Sequence, residues 1–405
     1  MDIQHYKDVD MWSMDGEKVQ IVDENEHLGR VVTGFKEEER NVLENISRGR
    51  KSLYSLLGPA FSQKCYLNPA VQVHIFRLFT CPIVRSGISA LSVRSTHTGP
   101  LTAFHRKILR SFLHLSNRSP IPALYFLLGE IPITARLHRD VFSLLFSVWT
   151  NPQTKIYNLV KHLLAISLDN SRTWSIHVRH LSRMYGLPDP LLLLNHPPPS
   201  KTSFKNDVTT IITVHHEREL RELARDNSKM QWLNVSMAGL QGHCHPIFKD
   251  VVSVYEVKKM RSQVKMLCGD LYTYSVKADQ SGGSPHCRLC QAPCEDLPHV
   301  LSLCEATSQP RQDNIQELKN ILVNNYSLEG VSVTKSLTNE QFSNLINSPT
   351  LFTQFSVDPT SFNLPDIYRI NINDINICQI FKSTRNLCFS INNERIKLIK
   401  NYVAR

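Results

Sequence analysis

Residues 37–58 read EEERNVLENISRGRKSLYSLLG, and this stretch sets the fold class. Val42, Ile46, Leu53 and Leu57 recur at helical spacing, so they line one face of an α-helix. Three glutamates open the run, where negative charge suits a helix N-terminus. Gly58-Pro59 closes it, because proline donates no backbone N–H and glycine takes the conformations that end helices. The form recurs downstream in Pro69 to Thr80 and in Pro100 to Leu115, each with proline placed for a first turn. In the second, Leu101, Phe104, Ile108 and Phe112 share a face. Helices are also expected over 124–129, 133–150, 155–168, 176–186 and 315–324. Upstream, Lys18 to Asp23 and His27 to Gly34 have strand character and flank Glu24-Asn25-Glu26, which reads as the acidic turn of a hairpin. The expected fold is mainly α: helical bundles, a short N-terminal β-hairpin and a small zinc-binding module near the C-terminal third.

With 405 residues, 41% of them hydrophobic, the chain has enough apolar surface for a sizeable core and is long enough for two or three domains. The best break is Asn195 to Lys201, where three consecutive prolines forbid helix continuation and favour an extended spacer. The expected segments are the hairpin over 1–36, a basic helical bundle over 37–118, and a second helical unit over 119–195. A helical segment over 207–304 then ends in the cysteine cluster, and 305–405 is a polar tail whose last part shows no assignable pattern. No run approaches the roughly 18 apolar residues that a membrane helix needs. The opening Met-Asp-Ile-Gln-His does not resemble a signal peptide, so an intracellular protein with reduced thiols and no membrane partner is expected.

The net charge of +10 is unevenly distributed. Residues 1–29 hold eight acids against Lys7 and Lys18, whereas residues 30–118 hold fourteen bases against Glu37, Glu38, Glu39 and Glu44. Arg48, Arg50 and Lys51 ride on the first helix, and Arg106, Lys107 and Arg110 fall within two turns of the third. Dense arginine and lysine on a compact unit attract a phosphate backbone, since each neutralised phosphate releases condensed counterions. A solvated basic surface without a partner is the plainer alternative.

The sharpest local signal is Cys287-x2-Cys290-x8-His299-x4-Cys304. A Cys-x2-Cys turn offers two thiolates to one Zn²⁺, and a histidine and cysteine closely spaced on a following turn complete a tetrahedron. Four protein ligands leave no open position, so such an ion would be structural; reduced, uncoordinated cysteines are the plainer alternative. Cys294 is a spare thiol able to replace a ligand. His243-Cys244-His245 has no fourth ligand at suitable spacing and reads as a loop. Cys65, Cys81, Cys268, Cys378 and Cys388 read as core thiols, and the amphipathic charged run Glu217 to Asp226, which His215-His216 precedes, as a solvated helix face. There is no Gly-rich phosphate loop, no Gly-x-Ser-x-Gly, no His-Glu-x-x-His and no Asp-Asp pair of the kind two-metal phosphoryl transfer uses. No small-molecule substrate is indicated.

Several runs, taken in order, resemble the region downstream of the catalytic palm in LINE-type non-LTR retrotransposon reverse transcriptases. They are Glu26-His27-Leu28-Gly29, Asn45 to Gly58, Pro82 to Leu91, Phe104 to Arg110, Ser119 to Ile133, and Arg261 to Asp270 with the cysteine cluster. The resemblance implies that 1–36 is a palm remnant in which His27, Leu28 and Gly29 resemble a primer grip. It also implies that 37–118 is a thumb gripping RNA and DNA template and primer, and that the zinc segment engages nucleic acid. The family's catalytic aspartates should then lie upstream of Met1, so this chain alone is not expected to be an active polymerase, and no catalytic residue is assigned. The rival expectation is a zinc-stabilised helical protein that contacts other proteins and no nucleic acid.

Overall fold

The computed structural model describes residues 13–14, 17–18, 22, 24–27, 30–34, 36–58, 67–92, 95–166, 173–235, 240, 242–271, 273, 284–323, 339–361 and 374–403. The fold is mainly α. Among the described residues its strands are confined to two short antiparallel hairpins: β1 (Ser13–Met14) with β2 (Glu17–Lys18), and β3 (Glu24–His27) with β4 (Arg30–Thr33). His27 pairs with Arg30, so Glu24-Asn25-Glu26 is strand and not turn. The reason is charge matching across to the first helix. Glu24 pairs with Arg40 at 3.0 Å and Glu26 with Arg48 at 2.8 Å, using alternate strand residues against one helix face.

That helix, α1, spans Glu37–Leu57 and ends at Gly58. It buries Val42, Ile46, Leu53 and Leu57, together with Asn41, whose side chain pairs with both backbone groups of Val31 and ties β4 to the helix. α2 (Pro69–Ile75) starts with Asn68 capping the amide of Ala70 and continues as a π-turn over Phe76–Thr80 into α3 (Cys81–Arg85). α4 (Ser95–Leu113) begins earlier than expected and takes Pro100 into its interior, where proline cannot donate to the helical ladder. α5 (Ile121–Leu128) and α6 (Ile133–Trp149) follow, as do α7 (Lys155–Ile166), α8 (Trp174–Tyr185) and α9 (Pro190–Leu194).

The three prolines end α9, yet they do not separate two bodies. The carbonyl of His196 accepts from Trp149 Nε1 at 2.7 Å, and α10 (Lys201–Arg225), capped by Ser200, folds back onto α5, α6 and α8. Apolar burial therefore runs continuously from Val42 through the α4–α6 layer to Ile391, with one satellite cluster around Phe146, Trp149, Val160 and Leu194. The expected segments 37–118, 119–195 and 207–304 share this core.

The described residues of 305–405 are largely helical, where a polar tail was expected. α11 (Val254–Leu267), α12 (Ser308–Leu322), α13 (Asn339–Asn347), α14 (Pro349–Val357) and α15 (Asp374–Val403) form a second helical layer, with α15 packed on α11, α12 and α14. α15 inserts Phe381, Leu387, Cys388 and Ile391 alongside buried Ser383, Thr384 and Arg385. Among the described residues no helix is long and apolar enough to cross a membrane.

Candidate metal centre and basic surfaces

Between α11 and α12 the chain makes a tight knuckle that gathers the four expected ligands. Cys287 opens it, its amide donating to the Ala292 carbonyl at 2.9 Å while its own carbonyl accepts from Gln291, which turns the chain with φ of 61°. Asp296 Oδ1 then caps the amide of His299 at 2.8 Å and starts the π-turn His299–Leu303, which closes with the Cys304 amide on the His299 carbonyl at 2.8 Å. This wide turn brings residues five apart onto one side, so Nε2 of His299 and the sulfurs of Cys287, Cys290 and Cys304 all lie within 4.8 Å of one another. Such a group can hold a metal ion. Cys294, by contrast, is exposed and stands outside the group.

The electrostatics suit a cation. Burial pushes the Cys287 thiol up to about 12 and raises that of Cys304 as well, so both thiols carry their protons unless a positive charge joins them. His299 is held below its ordinary value by burial, against the pull of Asp296 and Glu295, which leaves a neutral imidazole available as a ligand. Beside the ligands, Glu295 is 1% exposed and forms a two-pronged pair with Arg395 of α15, at 2.9 and 2.8 Å. Glu295 Oε1 also lies 3.8 Å from Cys287 Sγ, and Arg311 of α12 donates to the Cys304 carbonyl at 3.1 Å. The knuckle is thereby stapled to two C-terminal helices, which neither residue's sequence context signals.

The six cations expected to contact nucleic acid fall into three environments. Arg48 is bracketed by Glu26 and Glu44, at 2.8 and 3.1 Å. Arg50, Lys51 and Lys107 are exposed, with the Arg50 guanidinium 5.9 Å from the Phe104 ring across the α1–α4 contact. Arg106 and Arg110 are half-buried toward α5. Burial pushes the Tyr125 phenol up while the charge of Arg106 draws it down, and Arg110 is lowered by burial and by Arg106. His27 is exposed, and Leu28 and Gly29 lie outside the described residues, as does Cys65.

Two further histidine groups depart from or extend the expectation. His243-Cys244-His245 is a loop, pinned by the His245 amide on the Leu127 carbonyl at 2.8 Å, and it forms no metal group among the described residues. His216, just before the charged run, is buried. Tyr185 of α8 bridges His138 Nδ1 at 2.6 Å and His216 Nε2 at 2.9 Å, and Glu219 completes the chain at His216 Nδ1. α8 covers that face of α10, which the charged sequence run had disguised.

Comparison with protein families, with curated proteins and with solved structures returns no match.

Proposed function

We propose that this chain is a nucleic-acid-binding C-terminal region of a non-LTR retrotransposon reverse transcriptase, stabilised by one structural zinc ion. The observation that carries the reading is the set of exposed cations, Arg50, Lys51 and Lys107, on the paired helices α1 and α4, whose sequences fall within the segments resembling that family's thumb. A concentrated basic helical surface is the electrostatic footprint of phosphate recognition. The sequence carries no adjacent aspartate pair, so the chain by itself binds template and primer and does not extend them.

Zinc suits the metal group best. Tetrahedral Zn²⁺ with Zn–S near 2.3 Å sets its ligand atoms roughly 3.5–3.8 Å apart. Here the Cys287 and Cys304 sulfurs are 4.0 Å apart, and the Cys290 sulfur is 3.3 Å from His299 Nε2. Three thiolates and one imidazole are a soft, closed donor set with no position for substrate.

The test of the nucleic-acid reading is fluorescence anisotropy with an RNA–DNA hybrid. Arg50→Glu, Lys51→Glu and Lys107→Glu combined should weaken binding at least about 100-fold near 0.1 M salt, since each reversed charge removes a phosphate contact and adds repulsion. Arg48→Gln should change it little, its charge being held by two glutamates. Equal affinity for the triple variant and the unsubstituted chain would refute the reading. For zinc, metal analysis should return one ion per chain, lost on Cys287→Ser.

A further inference from the structure

A cavity of about 570 Å³ opens where the end of α4 and the loop over 114–118 meet Lys229 and the end of α11. His114, Asn117, Arg118, Lys229 and Lys265 line it, and among the described residues Asp270 is the one carboxylate in its lining. Arg110 stands one helical turn before His114, and Arg261 one turn before Lys265. Three cations from three separate stretches of chain, Arg118, Lys229 and Lys265, thus converge on a single hollow. Burial holds the His114 imidazole down to about 4, with Arg261 and Lys265 adding to the effect, so the ring is neutral there. Its Nε2 is buried with no hydrogen-bond partner.

The cations are positioned by the fold. Asp270 accepts from the Ser116 amide at 2.8 Å and from the Ser116 hydroxyl, which clamps the loop and directs the carboxylate to it. Lys229 Nζ donates to the Arg118 carbonyl at 3.3 Å. Gly269, at φ of 58°, passes so near Lys229 that a Cβ on it would fall 2.9 Å from the lysine Cβ, so the lysine stem is held at the rim. His114 itself takes a left-handed backbone with φ of 53°, an unusual conformation for a non-glycine residue and one that recurs at ligand sites.

Like charges crowded into a partly desolvated hollow repel one another, and an anion with several oxygens relieves that repulsion. We propose that this cavity is an oxyanion subsite for a phosphate group, borne by the backbone of a nucleic-acid strand. The proposal rests on the nucleic-acid reading above and extends it to residues outside α1 and α4, namely Arg118, Lys229 and Lys265.

The full chain is tested in two arms. In the first, Lys229→Gln combined with Lys265→Gln should reduce affinity for the RNA–DNA hybrid at least about tenfold and lower the slope of log K against log salt by about 2. The single Lys265→Gln variant, expected to lower the slope by about 1, serves if the pair unfolds. In the second, the side-chain NMR signal of His114 is followed as inorganic phosphate is added, and it should shift in the unsubstituted chain and not in the double variant. Steep, salt-sensitive hybrid binding that is identical in the variants, with a His114 signal indifferent to phosphate, overturns the subsite while leaving the nucleic-acid reading in place. A phosphate-dependent His114 shift without any hybrid binding upholds the oxyanion site and removes the nucleic acid as its bearer.

Discussion

Replacing Arg395 with methionine should destabilise the protein by about 3–5 kcal/mol, the cost of breaking a buried ion pair by removing one partner. The structure puts this pair at the upper end. Glu295 is 1% exposed, Arg395 6%, and their two hydrogen bonds measure 2.9 and 2.8 Å. Methionine fills much of the arginine stem's volume, so the loss comes mostly from the stranded carboxylate and little from a cavity. That carboxylate also lies 3.8 Å from Cys287 Sγ, so in the metal-bound state it would face a thiolate without its guanidinium. A second substitution, Glu295→Gln, removes the stranded charge and should recover more than half of the loss. Urea unfolding followed by circular dichroism gives the stabilities, and release of metal to a chromophoric chelator gives the effect on the knuckle. If Arg395→Met lies within about 0.5 kcal/mol of the unsubstituted protein, as an ordinary surface change does, the staple between knuckle and α15 is not structural. The same conclusion follows if the double variant is no more stable than the single.

Metal removal should act at a distance. Stripping the ion with a chelator should raise hydrogen exchange across α12 and α15 as well as across 284–304, because Arg311 and Arg395 anchor those helices to the knuckle; exchange confined to the knuckle would contradict this. Gly49→Ala should destabilise by about 1–3 kcal/mol in thermal unfolding despite alanine's better helix propensity, since the added Cβ would fall 2.3 Å from Val84 Cγ2; a stabilised variant would refute the α1–α3 packing. Stability should fall as pH drops below about 6.5. Burial holds His105 and His177 near 4 and His138 near 3, so the folded state takes up fewer protons than the unfolded one across that window. Urea midpoints measured from pH 7 to 4.5 check this, and His105→Leu should flatten the decline.

Several helix ends were legible from proline or glycine, as at Gly58, Pro69 and Gly186, but Pro100 misplaced the start of α4, and the capped starts at Ser253 and Ser348 were not read. The cluster of Cys287, Cys290, His299 and Cys304 that could hold a metal ion was legible, because these residues are close in sequence. The hairpin register was not. Every residue of β3 is exposed, so no apolar alternation exists to read, and its acids face arginines that a linear pattern cannot pair with them. α15 was missed because Ser383, Thr384, Arg385, Asn392 and Arg395 are buried within it and interrupt the apolar period. The burial of His216 was not legible for a similar reason, being imposed by Tyr185 from another helix. The basic cavity was invisible because Arg118, Lys229 and Lys265 belong to segments far apart in the chain.

The central claim is that this chain grips a phosphate backbone, and the most direct measurement is the affinity of the metal-loaded protein for an RNA–DNA hybrid across a range of salt. Log K should fall linearly with log salt, with a slope of about −0.9 for each phosphate neutralised, and so of at least about −4 given the exposed cations and the cavity. Absent binding, or binding indifferent to salt, would contradict the claim.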